Sequence, residues 1–200
     1  MNDKLLGDYL KQWDDSVSES YLRNLNQINS RREFLRQLVA GSAAVVFSKN
    51  ILANTANLND GVWKTFTALH LYLFPASSNS PDANTINATA YLKSVTEWPG
   101  VDKSDKKFLL DGIGWLNGVA SKSYQNRFEK LTNNQKETVL RLVEKSKAGE
   151  NWLSLVLLYL MEALLTDPVY GGNVNGAGWK WLQHQPGFPH PPTNKRYFNL

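Results

Sequence analysis

The sequence predicts an all-α protein, a compact helical bundle followed by a long C-terminal segment rich in glycine, proline and aromatic residues. Three observations carry this expectation. Apolar residues recur at helical spacing in each long segment, and no stretch of useful length alternates apolar and polar side chains as a strand would. Helix boundary signals fall between those segments, notably Pro99-Gly100 and the pair Thr132 and Gln135. Apolar residues make up 42% of the chain and aromatics 12%, enough to fill a core and to exclude wholesale disorder.

Composition also narrows the chemistry. The chain has no cysteine, which excludes disulfides, thiolate zinc sites, iron–sulfur ligation and covalent haem attachment within it. Three histidines remain, His70, His184 and His190, and none stands at metal-ligand spacing with another, so no metal site is expected. The net charge of +4 is dispersed, without a block of like charges, and points away from a nucleic-acid partner.

Four regions follow in order. Residues 1–29 read as a polar helical extension, with Leu5, Leu6, Tyr9, Leu10, Trp13, Val17, Tyr21, Leu22, Leu25 and Ile28 near helical spacing. Residues 30–56 hold the run Ser30-Arg31-Arg32-Glu33-Phe34-Leu35-Arg36 and then an uncharged, modestly apolar stretch from Gln37 to Ser48. The adjacent guanidiniums, Phe34-Leu35 and Arg36 resemble a twin-arginine export signal, a receptor-read address for proteins that fold before transport. The competing structural reading is an internal helix opened by Ser30 and Glu33 as a capping box. Ala53 and Ala56 are the candidate cleavage positions, and neither has a small residue three places earlier.

Residues 57–165 form the predicted helical body. Asp60 is expected to cap a helix running to Phe74 and halted by Pro75; His70 lies on it as a partly buried histidine. A polar loop from Ser77 to Ala83 leads to a helix ending near Trp98. Asn87-Ala88-Thr89 has the form of a glycosylation acceptor but falls inside that predicted helix. The next helix, residues 102–124, places Leu109, Ile113, Leu116 and Ala120 on one face. It also carries Gly112, Gly114 and Gly118, each costing a helix interior about 1 kcal/mol relative to alanine. Three such residues point to close approach by a neighbouring helix or a partner. Their spacing superficially matches a dinucleotide fingerprint, but that chemistry requires a preceding strand and a helix N-terminus, and neither is present.

Thr132 and Gln135 make a capping box for a helix expected to reach Lys147 and end at Gly149. Residues 151–165 should form the central helix of the bundle. Within them, the fourteen-residue apolar run from Trp152 to Leu165, interrupted by Glu162, has the length of a buried core helix. The dozen or so apolar residues after Arg36 also fall short of the roughly twenty that a membrane span needs.

The character changes at residues 166–200, which hold five of the thirteen glycines and five of the eight prolines. They also hold Tyr170, Trp179, Trp181, Phe188, Tyr197 and Phe198. A segment this long and aromatic is not a solvated linker; it covers its own bundle or lies against another protein. Asp167, Tyr170, His184 and His190 are the concentrated polar groups, but they lack the spacing of a nucleophile–base pair or of two placed carboxylates.

Within this tail, Asp167-Pro168-Val169-Tyr170-Gly171-Gly172-Asn173, then Gly178-Trp179-Lys180 and Pro186-Gly187, resemble the gluconate 2-dehydrogenase subunit 3 family. The resemblance extends upstream through the helix at residues 108–124 and covers roughly residues 60–192. The extension ahead of the signal and Gln183-His184-Gln185 depart from the family pattern. The resemblance implies a non-catalytic small subunit, often bearing a twin-arginine signal, with no cofactor of its own. Its implied partner is a large flavin-dependent dehydrogenase of the glucose–methanol–choline type that holds FAD, commonly joined by a membrane-associated c-type cytochrome carrying haem. Further implications are passage through the twin-arginine translocase and a periplasmic location. Asp167, Pro168, Tyr170, Gly171, Gly172, Asn173, Gly178, Trp179 and Trp181 are then the expected partner-binding residues. The runner-up reading is a stand-alone periplasmic sugar-binding module whose tryptophans stack on pyranose rings.

Overall fold

A computed structural model describes residues 3–17, 55–187 and 192. The export motif, Ser30, Arg31, Arg32, Phe34, Leu35 and Arg36, lies outside the described residues. The described elements are helical, with no strand among them, and the protein is all-α. In chain order they are α1 (Asp3–Ser16), α2 (Thr55–Leu73), α3 (Ala88–Glu97), α4 (Lys103–Tyr124), α5 (Asn133–Val143), α6 (Lys147–Leu165) and α7 (Ala177–Trp181). Short 3-10 turns lie at Phe128–Lys130, Pro168–Tyr170 and Val174–Gly176. The chain divides into two units, one of Met1–Val62 with Gly100–Ser154 and the other of Trp63–Pro99 with Leu155–Leu200. Helices α2 and α6 contribute residues to both.

In the first unit, α4 begins as its sequence predicts. Asp102 accepts a hydrogen bond from the Ser104 backbone N–H at 2.7 Å, satisfying one of the unpaired donors of the first turn. Its predicted apolar face is fully buried. The glycines of α4 face aromatic side chains of this chain. A Cβ on Gly112 would overlap the Trp152 indole, and one on Gly118 would overlap the Tyr9 phenol; Gly114 has open space. The close approach expected from these glycines is therefore made by rings on α6 and α1. The Trp152 indole donates to the Leu109 carbonyl at 3.0 Å, so its polar edge is paired although the side chain is wholly buried.

The capping box at α5 is reciprocal. The Thr132 hydroxyl accepts from the Gln135 N–H at 3.4 Å, and the Gln135 side chain accepts from the Thr132 N–H at 3.0 Å. The helix boundary after it differs from the expectation. Helix α5 ends at Val143, and α6 begins at Lys147 instead of near Asn151. The buried Ser146 starts α6 by accepting the Gly149 N–H at 2.9 Å. Gly149 thus sits inside α6, where a side chain would strike the Val143 carbonyl; it closes the corner between helices rather than ending one. Helix α2 likewise starts earlier than expected, so Asp60 falls inside it and is not its cap.

In the second unit, His70 on α2 is completely buried, not partly so, with Nδ1 at 3.0 Å from the Thr89 hydroxyl. Its Nε2 is buried without a hydrogen-bond partner, and burial pushes its pKa down to about 4, so the ring is neutral. Asn87 is the residue before α3, in the left-handed region at φ 59°. The glycosylation-like triplet therefore begins at a helix start, with the Asn87 amide donating to the Gly171 carbonyl.

Candidate functional site

The C-terminal segment is stapled to its own unit. Asp167 accepts the Val169 N–H at 3.0 Å and starts the turn that Pro168 opens at its first position. That turn ends at the exposed Gly171, whose φ of 93° suits glycine. Asn173 then enters the interior and is wholly buried, in a left-handed conformation at φ 47°. Its amide group donates to the Thr166 carbonyl at 2.9 Å, and its side-chain oxygen accepts the Gly178 N–H at 2.7 Å. Its backbone N–H donates to the Ile86 carbonyl at 2.9 Å. A few residues away, the Asn87 amide donates to the Gly171 carbonyl at 2.8 Å, a link across 84 positions of sequence.

Two glycines make this fit possible. An atom added to Gly172 would lie 2.8 Å from the Ala163 carbonyl, and one added to Gly178 would overlap the Leu164 carbonyl. Both obstacles are backbone and cannot turn aside. The segment therefore lies directly on the last turns of α6, next to a small core of Ala83, Ile86, Ala88, Ala163 and Leu164. Trp179 adds an indole hydrogen bond to the Leu165 carbonyl at 2.8 Å, capping the C-terminal end of α6. Its ring also lies 6.1 Å from that of His184.

The expected partner-binding residues accordingly fall into two sets. Asp167, Gly172, Asn173 and Gly178 make internal contacts, and the last three are buried. Pro168, Tyr170 and Trp179 are partly exposed, and Gly171 and Trp181 face solvent. Trp181 is 38% exposed, with one edge set against Phe74 at 5.8 Å between ring centres.

Sequence reasoning missed a second apolar surface. Leu157, Leu158, Met161 and Leu165 are each at least 40% exposed, and their spacing places them on one face of α6. Val174 and Leu182 of the tail are also exposed. The expectation that α6 is a central, enclosed helix holds for Trp152, Val156, Tyr159, Leu160, Ala163 and Leu164 but not for this face. The signal was present: a helix apolar all round demands cover on every side, whether or not its own chain supplies it. Helix α6 runs for nineteen residues and is long and apolar enough to cross a membrane by length and composition; more than half of its apolar stretch is buried within the protein.

Beside the exposed face stands Glu162, whose carboxylate lies 3.3 Å from the Tyr91 hydroxyl. Burial pushes its pKa up to about 7, with the Tyr91 bond opposing the shift. Among the described residues, no three or more His, Asp or Glu side chains are gathered where they could hold a metal. The described residues thus leave apolar side chains exposed on α6 and on the internally pinned tail.

No curated protein and no solved structure matches the chain. A family model does match, over residues 60–187, the span that includes α3 to α7 and the stapled tail; by that match the chain belongs to the gluconate 2-dehydrogenase subunit 3 family.

Proposed function

We propose that this chain is the non-catalytic small subunit of a periplasmic, FAD-dependent dehydrogenase of the glucose–methanol–choline type acting on a sugar or sugar acid. It stabilises the flavin subunit and carries it through the twin-arginine translocase. The family is named for a subunit of a gluconate dehydrogenase, which supports a place inside a multi-subunit oxidoreductase. FAD belongs to the large subunit in this reading, and haem to a c-type cytochrome that anchors the assembly at the membrane.

The observation that carries the proposal is the uncovered apolar face Leu157, Leu158, Met161 and Leu165, together with exposed Val174, Trp181 and Leu182 in the same unit. Large exposed apolar side chains gathered in one region of a protein mark a partner site. An interface that must survive transport in the folded state needs such a buried apolar centre, with an aromatic anchor such as Trp181. The internal staple at Asn173 supports the same reading indirectly, because it holds the tail in one conformation before the partner arrives.

The test is co-expression with a large flavin-dependent dehydrogenase subunit of the glucose–methanol–choline type from the same source. The two chains should purify together as a yellow complex, whereas Leu158→Asp combined with Met161→Asp should leave a folded small subunit and no complex. Periplasmic delivery of the flavoprotein should stop when Arg31 and Arg32 are both replaced by glutamine. A wild-type chain that leaves the flavoprotein behind, or delivery that ignores the arginine pair, would refute the corresponding half of the proposal.

A further inference from the structure

Helix α1 lies ahead of the arginine pair and is built into the first unit. Leu6, Leu10 and Trp13 recur at intervals of four and three and form its buried face, while Lys4, Asp8, Lys11, Gln12 and Asp15 point outward. Trp13 is 1% exposed. Its ring stacks on Trp115 of α4 at 5.8 Å, nearly parallel, and meets Trp152 of α6 edge-on at 6.0 Å. Tyr9 occupies the space that the missing side chain of Gly118 leaves, tilts against Trp115 at 4.8 Å, and lies under the Lys122 ammonium.

A polar contact fixes the same helix at its other end. The Asp14 carboxylate accepts the Ala148 backbone N–H at 2.7 Å. It therefore caps α6 in concert with Ser146, from 134 positions earlier in the chain, and places negative charge at the positive end of that helix. The α1 helix itself closes locally, with the Ser16 hydroxyl donating to the Trp13 carbonyl.

We infer that α1 is a permanent structural helix of the mature protein, so that the chain is not processed at Ala53 or Ala56. Cleavage at either position would sever the chain from α1, and loss of that helix would remove a wholly buried tryptophan and a cap for α6. It would leave Trp152, now wholly buried, and one face of Trp115 open to water. Ala56 also lies in the first turn of α2, whereas proteolytic sites concentrate in exposed loops. The inference stands on the packing of the first unit, and it holds whether or not Arg31 and Arg32 direct export.

The experiment is an intact-mass measurement on the chain recovered from the compartment where it accumulates, paired with thermal denaturation. The recovered chain is expected to retain α1, with a mass that includes the 22.6 kDa of residues 1–200. A mature chain beginning at residue 54 or 57 would overturn the inference. A version truncated to start at residue 54 should melt at least about 10 °C below the full chain, given the usual few degrees per unit of lost stability. As a check that does not rely on recovering the truncated protein, a site-specific protease site can be placed between residues 45 and 50 of the full chain. After cutting, the N-terminal fragment should co-elute with the body under native conditions, and Trp13→Ala should release it. A fragment that separates freely from the otherwise unchanged chain, or a truncated protein with an unaltered melting temperature, would sink the idea.

Discussion

Replacing Asn173 by alanine isolates the staple that holds the C-terminal segment to α6. Three losses are expected. The Gly178 N–H, buried, loses its acceptor and costs about 1–3 kcal/mol. The Thr166 carbonyl loses its donor but stands in partly exposed surroundings, so water recovers most of that bond and the loss is about 1 kcal/mol. Alanine at φ 47° adds about 1 kcal/mol of backbone strain that asparagine bears more easily. Together these come to roughly 3–5 kcal/mol. For a chain of 200 residues, each kcal/mol lowers the melting temperature by about 2–4 °C, so a drop of about 10 °C is expected. The assay is thermal denaturation followed by circular dichroism. Asn173→Gly, which removes both side-chain bonds but relieves the strain, should recover only about 1 kcal/mol of the loss. Gly187→Ala, at a position with nothing nearby, should change stability by less than about 0.5 kcal/mol. If Asn173→Ala melts within about 2 °C of the parent, or Asn173→Gly equals it, the hydrogen-bonded staple does not hold the segment.

Gly178→Ala should be at least as damaging, because its added atom meets the Leu164 backbone, and should appear as a large melting shift or insoluble product. Gly112→Ala pits about 1 kcal/mol of helix propensity against the collision with buried Trp152; overpacking should win, with a net loss of about 1–2 kcal/mol in urea unfolding. Two buried groups impose opposing slopes on the pH profile that largely offset each other between pH 4.5 and 6.5, so each is read from its own variant. The Glu162 carboxyl, raised from 4.5 to about 7 by burial, makes the folded state bind more protons between those values, so its contribution is lost as pH rises through that window. Neutral His70, lowered from 6.5 to about 4, reverses the sign, and its contribution is lost as pH falls from 6.5 towards 4. Because the Glu162 side chain keeps some contact with solvent, Glu162→Gln should add about 1–3 kcal/mol at pH 8 and little at pH 4.5. A melting-temperature series across pH 4–9 checks this, and an unchanged alkaline limb in the variant would count against the buried carboxyl.

Local features of the sequence were enough to read most helices. The Thr132 cap, the apolar face at Leu109, Ile113, Leu116 and Ala120, and the stop at Pro75 are consequences of steric and hydrogen-bonding rules acting within a few residues. The α5–α6 boundary was not legible in the same way. Gly149 carries the usual mark of a helix end, yet the corner it packs into made it part of a helix start. The candidate site was half legible. The motif from Asp167 to Asn173 identified the tail and its family, but gave no hint of whether Asn173 faced inward or outward.

By itself, the sequence determined that the protein is helical, where α4 and α5 begin, and which family it joins, because periodicity, capping and motif are properties of neighbouring residues. Only tertiary structure decided that Tyr9 fills the gap at Gly118, that Asp14 caps α6, and that Asn173 is spent on internal bonds. It also decided which face of α6 is left uncovered. Those outcomes depend on residues tens of positions or more apart meeting at ångström distances, and no local pattern records which distant surfaces will come together.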